Sequence, residues 1–290
     1  MSPLDFAYLA DLLKQRSGLI LTPDKEYLLE SRLRPLIRSR GLTDFREFVS
    51  ALRTGDRSLA NDVVEAMTTN ETSFFRDIKP FQLVRNVVLP ALLAARTGTR
   101  QLRIWCAACS TGQEPYSLAM VLDDERARLD AWTWQIVATD IAPSVLTKAQ
   151  NGLYSQFEVQ RGLPTPMLLK HFAKAGDSWQ LKDEIRRKVM FRTVNLLDDL
   201  RGLGRFDLIF LRNVLIYFDP DTKRAILDKV SHQLAADGFL FLGGAETVIG
   251  VTEAFEPVPD QRGIYRPTGA TPIPPIMSKT APPGLAGARA

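Results

Sequence analysis

Residues 106–115 contain side chains suited to holding a small ligand. Small residues dominate this segment, which lies between an apolar run and a helical pattern. Small side chains let a backbone approach a ligand closely, and the start of a helix offers free N–H groups. Gly112 is the single glycine, so the segment is not G-x-G-x-x-G and is weak as a nucleotide motif. The structural alternative is a tight turn from strand to helix, with Glu114 favourable at the helix start.

Polar residues also follow three apolar runs that read as strands. Asp140 ends the run 135–140, where dinucleotide-binding folds place a carboxylate that accepts hydrogen bonds from ribose. The alternative for Asp140 is an N-cap of the helix that Pro143 opens. Arg212 and Asn213 follow the run 206–211, and Asn195 follows a third run. Such groups at the end of a buried strand cost free energy unless they are hydrogen-bonded, which favours a ligand site.

Other chemistries find little support. Cys106 and Cys109 form one C-x-x-C without a second pair, and the two histidines, His171 and His232, lie far apart in the sequence. We therefore expect no metal site, and we interpret the cysteines as buried small hydrophobic residues. No Ser-His-Asp set or Walker loop is recognisable.

Residues 1–77 have a helical pattern. Ser2 and Pro3 are typical of a helix start and Gly18 of a stop. A second helix follows Thr22, with Pro35 expected to kink or shorten it, and Thr43 is expected to open a third. A fourth carries Leu59, Val63 and Met67 on one face. Short helices joined by short loops predict a small all-α domain.

Residues 78–266 change to alternating strands and helices. Apolar runs near 102–105, 135–140, 189–191, 206–211 and 239–242 predict a mostly parallel sheet covered on both faces, the Rossmann-like α/β class. Residues 151–188 break this rhythm and predict a small inserted subdomain. Residues 267–290 are rich in Pro, Gly and Ala and predict a disordered tail.

Composition sets the broad class. The chain has 290 residues, is 45% hydrophobic, and carries 37 Lys plus Arg against 33 Asp plus Glu, for a net charge of +4. That excess demands neither nucleic acid nor an anionic membrane. No apolar run approaches the ~20 residues that a membrane-spanning helix needs, and the N-terminus lacks a signal-peptide pattern. We expect a cytoplasmic protein with no nucleic-acid partner and no membrane insertion.

Four motifs occur together in an order that resembles the chemotaxis receptor methyltransferases of the CheR type. They are residues 69–77 (TNETSFFRD), 108–116, 138–141 (ATDI) and 212–219 (RNVLIYFD). The resemblance covers about residues 1–266. It implies an all-α domain followed by a Rossmann-like S-adenosylmethionine methyltransferase domain with an inserted β-subdomain. The implied activity is methyl transfer from S-adenosylmethionine to glutamate carboxylates on the cytoplasmic helices of chemoreceptors. The products would be glutamyl methyl esters and S-adenosylhomocysteine.

The resemblance also implies roles for individual residues. Arg76 and Glu114 would suit the carboxylate and ammonium ends of the cofactor, and Asp140 its ribose. Tyr217 matches a tyrosine thought to lie close to the transferred methyl, so Arg76 and Tyr217 are the implied catalytic residues. The implied cofactor site comprises Asn70, Thr72, Arg76, Glu114, Asp140, Asn195, Leu196, Arg212 and Asn213, with Asn195 and Leu196 near the adenine.

Substrate recognition is expected to involve the helical domain. Four arginines crowd the polar side of its second helix, and acidic receptor helices would be attracted to them. The alternative is a solvated face, partly offset by Asp24, Glu26 and Glu30. The predicted substrate-binding residues are Arg32, Arg34, Arg38 and Arg40. We expect the enzyme to act as a monomer.

The inserted subdomain bears on whether the enzyme recognises a peptide at the receptor's C-terminus. In some relatives it docks a short peptide at the receptor's C-terminus. Here residues 174–179 (KAGDSW) form a compact loop, shorter than in the members that use a peptide tether. We therefore expect an enzyme that does not depend on a receptor C-terminal pentapeptide.

Two other function classes compete. A nicotinamide-dependent oxidoreductase is disfavoured by the missing G-x-G-x-x-G. A non-catalytic protein that binds S-adenosylmethionine or S-adenosylhomocysteine as a sensor or scaffold would keep the nucleotide site while losing Arg76, Tyr217 or the basic helix, all of which are present. The absence of a recognisable general base suits the enzyme, since a glutamate with a pKa of about 4.3 is already ionised at neutral pH.

Overall fold

A computed structural model provides the structure of the protein and describes residues 1–270. The chain begins with four helices whose inner faces share one apolar core, in which Leu9, Leu29, Phe48 and Val63 are fully buried. The helices are α1 (Pro3–Ser17), α2 (Glu26–Ser39), α3 (Phe45–Arg53) and α4 (Arg57–Met67).

The expectation that Pro35 shortens the second helix and the expectation that Thr43 opens the third are both wrong. Helix α2 continues to Ser39 with Pro35 inside it. Pro35 removes the donor for the carbonyl of Ser31, but both residues are exposed, so this carbonyl can face solvent. The N-cap of α3 is Asp44 rather than Thr43, because the Asp44 side chain accepts a hydrogen bond from the backbone N–H of Glu47 at 2.9 Å.

The α/β region is built on a seven-stranded sheet in the order β6-β2-β1-β7-β8-β10-β9. The first five strands of that order are parallel, and β10 pairs antiparallel with both β8 and β9. The strands are β1 (Gln101–Ala107), β2 (Thr133–Asp140), β6 (Val189–Thr193), β7 (Phe206–Leu211), β8 (Leu234–Leu242), β9 (Phe255–Pro257) and β10 (Ile264–Pro267).

Helices cover both faces of this sheet and bury two separate apolar clusters. The strand order reverses between β1 and β7, which is where a doubly wound sheet opens a crevice for ligands. The predicted Rossmann-like class is confirmed. The covering helices are α5 (Lys79–Leu83), α6 (Leu89–Ala95), α7 (Gln113–Asp124), α8 (Pro143–Asn151) and α12 (Pro220–Gln233).

The insertion between α8 and β6 has its own small antiparallel sheet, in the order β3-β5-β4. Its Tyr154 and Phe172 pack edge-on against Phe74, with ring centroids 5.0 and 5.7 Å apart. Phe74 belongs to the segment after α4, so the insertion supports that segment from one side. The elements are β3 (Leu153–Ser155), α9 (Gln156–Gln160), α10 (Thr165–His171), β4 (Phe172–Ala175), β5 (Ser178–Leu181) and α11 (Asp183–Arg186).

Core packing places the change from the helical core to the sheet core between Met67 and Phe74. At the other end, β10 includes Pro267, and the Thr268 backbone N–H donates to the Ala254 carbonyl at 3.0 Å. The first residues of the predicted tail are therefore part of the fold. The remainder, 271–290, lies outside the described residues. Over residues 1–270, no helix combines the length and the apolar character needed to cross a membrane.

Substitution of Gly162 tests how tightly the insertion packs against the segment after α4. Its φ is +92°, and a Cβ there would overlap the carbonyl oxygen of Phe74. Gly176 also has a positive φ, +58°, but a Cβ there would meet nothing within 4 Å. We expect Gly176→Ala to cost about 1 kcal/mol of unfolding free energy, and Gly162→Ala about 1–3 kcal/mol more. Equilibrium unfolding in urea measures both, and equal losses would contradict this packing.

Candidate active site

One cleft at the carboxyl edge of the sheet collects every residue assigned above to the cofactor or to catalysis. It lies beyond the ends of β1, β2, β6 and β7. The end of α1, through Ser17 and Leu19, and the segment 68–76 close it. Ten of the lining residues were predicted from sequence: Asn70, Thr72, Arg76, Glu114, Asp140, Asn195, Leu196, Arg212, Asn213 and Tyr217.

The segment 68–76 is fixed to the sheet by hydrogen bonds as well as by Phe74. The Ser110 hydroxyl donates to the Asn70 carbonyl at 2.8 Å. The Phe75 N–H donates to the Ser117 hydroxyl at 3.0 Å. These bonds hold the segment over the turn after β1, so Asn70, Thr72 and Arg76 reach the same cleft as the strand ends.

Arg212 is the best-anchored charge in the cleft. Its side chain is 1% exposed. It donates to the carboxylates of Glu114 and Asp77, each at 2.7 Å, and to the carbonyl of Arg76 at 3.1 Å. Its Nε is buried without a hydrogen-bond partner in the described chain. This guanidinium therefore joins the end of β7 to the start of α7 and to the segment after α4.

Glu114 lies at the start of α7, where a helix favours negative charge. Burial raises the pKa of its carboxyl, while the nearby guanidinium of Arg212 opposes that rise. Among the residues that line the cleft, Glu114 supplies the carboxyl group that pairs with Arg212. Residues 108–112 form the turn from β1 to α7, and Ala108, Cys109 and Ser110 of this turn line the cleft together with Glu114.

Asp140 ends β2 and is 5% exposed. Its two carboxylate oxygens accept hydrogen bonds from the N–H groups of Ser110 at 2.8 Å and Ala142 at 3.0 Å. Burial raises the pKa of Asp140, and these backbone hydrogen bonds oppose the shift. A carboxylate offers about four acceptor sites, so capacity remains for ligand hydroxyls. The N-cap of α8 is Ala142, so Asp140 does not have the alternative role as the cap.

The far wall of the cleft is apolar, formed by Ile141, Val194 and Leu196. Asn195 stands beside it, but both ends of its amide are engaged. Its Nδ2 donates to the Arg16 carbonyl at 2.6 Å, and its Oδ1 accepts from the Leu197 N–H at 3.0 Å. Asn195 thus ties the last turn of α1 to the sheet.

The loop after β7 forms the remaining wall and also contacts the helical region. The Ile20 N–H donates to the Tyr217 carbonyl at 3.2 Å, and Lys14 pairs with Asp219 at 3.0 Å. Sequence reasoning missed Ser17 and Leu19 as cleft residues. The Gly18 stop marked the end of a helix, but nothing in its pattern indicated that this end would meet the loops that follow β6 and β7.

The four predicted substrate arginines have different surroundings. Arg32 donates to the carbonyls of Met67 and Thr68 at 2.8 and 3.1 Å, so it secures the segment that leads to the cleft. Arg34 pairs with Glu30 at 3.0 Å, and Arg40 pairs with Asp62. Arg38 is exposed and makes no ion pair with the described residues.

The two cysteines belong to the sheet core. Cys106 and Cys109 are free and buried, and burial raises the pKa of each thiol well above its ordinary value. A thiol in that state is a poor nucleophile and a poor metal ligand. This agrees with their interpretation as small hydrophobic residues.

Comparison with known proteins decides the family. Residues 4–68 match the family model described as "CheR methyltransferase, all-alpha domain". Residues 70–264 match the family model described as "CheR methyltransferase, SAM binding domain". The chain belongs to the CheR methyltransferase family. It is 43% identical over 267 residues to chemotaxis protein methyltransferase 1 of Pseudomonas aeruginosa, covering 90% of this chain and 97% of that one. It is 41% identical to chemotaxis protein methyltransferase Cher2 of Pseudomonas putida, covering 90% and 96%.

The cleft of this CheR family member suits the donor that its S-adenosylmethionine-binding domain takes. Asp140 retains acceptor sites for ribose hydroxyls, and the apolar wall offers a surface for a base. Glu114 supplies an anion for an ammonium group, and the buried Arg212 Nε lacks a partner in the residues described. Groups of both charge signs therefore lie side by side at one end of the cleft.

Arg212→Met tests this charge network. Losing the guanidinium leaves Glu114 buried without its partner, which should cost about 3–5 kcal/mol of unfolding free energy near neutral pH. The pKa of Glu114 is higher in the folded than in the unfolded wild-type protein. The free energy of unfolding of the wild type therefore falls as pH rises from the unfolded pKa to the folded pKa of Glu114. The substitution raises that pKa further, so the deficit should be larger at about pH 8 than at about pH 5.

Urea unfolding at both pH values measures the deficit. Arg201→Met is the matched control, since Arg201 is 85% exposed and pairs with the exposed Asp199. We expect it to stay close to the wild type at both pH values. A deficit for Arg212→Met that does not depend on pH would contradict the assigned role of Glu114.

Proposed function

We propose that this protein transfers the methyl group of S-adenosylmethionine to glutamate carboxylates on the cytoplasmic helices of chemoreceptors. The products are glutamyl methyl esters and S-adenosylhomocysteine. The observation that carries the proposal is the convergence of the ten predicted residues in one cleft of a CheR family chain. We propose further that the enzyme acts as a monomer in the cytoplasm.

The proposed reaction needs no general base from the protein. A glutamate acceptor has a pKa of about 4.3, so its carboxylate is already the nucleophile at neutral pH. The bound donor supplies an activated methyl group, whose bond to sulfur breaks as its bond to the carboxylate oxygen forms. The protein must orient the two reactants and keep water out, and such orientation contributes several kcal/mol to a rate.

In this proposal each wall of the cleft has one task. Asp140 accepts hydrogen bonds from the ribose, and the wall that contains Leu196 contacts the adenine. Glu114 and Arg76 receive the amino-acid end, with Arg212 holding Glu114 in place at 2.7 Å. Tyr217 lies beside the transferred methyl. The exposed Arg38 is the arginine of α2 best placed to attract an acidic receptor helix, since the other three are engaged.

Transfer of label from S-adenosylmethionine to receptor membranes tests the function. We expect label on the receptor that mild base releases, as methyl esters require. Asp140→Asn should weaken the binding of S-adenosylhomocysteine at least about tenfold, as the loss of one charge-assisted hydrogen bond predicts. Asp177→Asn, in an exposed loop, is the control and should bind normally.

The outcomes separate two kinds of protein. Base-labile label supports the enzyme. Tight binding of S-adenosylhomocysteine with no transfer to receptor would instead support a non-catalytic sensor or scaffold. Label that resists base would contradict a carboxylate acceptor.

We also propose that the receptor's C-terminal pentapeptide is not needed. The loop that joins β4 to β5 is short, with β4 ending at Ala175 and β5 starting at Ser178. The aromatic side chains Tyr154 and Phe172 of the subdomain pack against Phe74, which is buried in the segment that borders the cleft. Calorimetry with receptor-tail pentapeptides should therefore detect no binding, and micromolar affinity would contradict the proposal.

A further inference from the structure

The carboxylate of Glu246 makes an unusual set of contacts just behind the cleft. One oxygen accepts hydrogen bonds from the N–H groups of Asn213 and Gly243, each at 2.7 Å. The other accepts from the N–H groups of Val214 and Leu215, at 2.9 and 2.7 Å. All four donors are backbone groups. Glu246 is 9% exposed, so these bonds take the place of solvent for its charge.

Three of these donors are consecutive residues of the loop that follows β7. Successive N–H groups that converge in this way form a concave anion site, which polypeptides use to bind phosphates and other anions. Here a side chain of the same protein fills it. None of these four N–H groups donates to a carbonyl within a helix or a strand ladder, so without the carboxylate they would lack partners in the described chain.

The loop that Glu246 holds carries groups of the cofactor cleft. Asn213 has a φ of +58°, a conformation that costs free energy for a residue other than glycine and needs support from its surroundings. Arg212 precedes it, and Tyr217 ends the short 3₁₀ turn that starts at Leu215. All three line the cleft, whereas Glu246 does not. Glu246 therefore fixes their common backbone without touching the cleft itself.

Gly243, the residue after β8, has the small size that its contact with Glu246 requires. Gly243 donates to Glu246, and a Cβ on Gly243 would lie 2.7 Å from the nearer carboxylate oxygen and 2.6 Å from the Asn213 amide nitrogen. Only a residue without a side chain lets the carboxylate approach the loop this closely. The ends of β7 and β8 are thus joined through one buried anion.

We propose that Glu246 is a positioning residue for methyl transfer, which holds Arg212, Asn213 and Tyr217 in their active arrangement before the donor binds. This inference rests on the proposed function and adds to it a residue that does not contact the cleft. A residue that only stabilised the fold would change the unfolding temperature. A positioning residue must also change turnover and cofactor affinity well below that temperature.

Glu246→Gln is the sharpest variant, because its amide keeps the shape but turns an NH₂ group toward backbone donors. We expect kcat to fall at least about tenfold and the dissociation constant for S-adenosylhomocysteine to rise several-fold, in a protein that is still folded by circular dichroism. Glu253→Gln, an exposed acid on the same connection, is the matched control and should behave as the wild type. Turnover and affinity within twofold of the wild type for Glu246→Gln would overturn the inference.

Hydrogen exchange on the wild-type protein keeps the inference testable if Glu246→Gln does not fold. We expect peptides that cover residues 213–215 to be protected before any ligand is added. Fast exchange that slows only when S-adenosylhomocysteine is bound would overturn preorganisation by Glu246. If the wild type neither binds S-adenosylhomocysteine nor transfers methyl groups, the proposed function fails, whereas normal wild-type activity with an unaffected variant removes only the role of Glu246.

Discussion

The buried guanidinium of Arg212 is the interaction on which the cleft depends. A charge with 1% of its side chain exposed is tolerable only while its partners remain in place. Those partners are Glu114 at the start of α7, and Asp77 and the Arg76 carbonyl in the segment after α4. One side chain thereby joins the loop after β7 to two other parts of the chain, which lie 98 and 135 residues away in sequence. Displacing any of them would leave a charge without compensation, so the cleft is specified together with the fold.

The buried carboxylate of Glu246 anchors the same loop through hydrogen bonds from backbone N–H groups. Glu246 holds the loop after β7 from behind, while Arg212, in the same loop, reaches forward to Glu114. The loop is therefore fixed on both sides by charge-assisted hydrogen bonds, which are stronger than neutral ones. Such double anchoring suits the proposed methyl transfer, whose rate depends on aligning the sulfur, the methyl carbon and the acceptor oxygen rather than on proton transfer.

The inserted subdomain has a structural role that its sequence did not suggest. Its Tyr154 and Phe172 pack on Phe74, and the Tyr154 hydroxyl donates to the Thr111 carbonyl at 2.8 Å. Phe74 lies within the motif that brings Asn70, Thr72 and Arg76 to the cleft. The subdomain thus supports the segment and the turn that line the cleft.

The sequence alone determined much of this protein, because local signals and co-occurring motifs are read without knowledge of the fold. Ser2 and Gly18 bounded α1 as expected, the apolar runs became strands of a parallel sheet, and the polar strand ends met at one edge. What the tertiary structure decided was which charges pair. Arg32 looked like a surface cation and is bound to the carbonyls of Met67 and Thr68, while Glu246 carried no motif and holds four backbone donors. Spacing along a chain reveals which face of an element a residue occupies, but the partner of a long side chain comes from another element, and only the packed fold brings the two together.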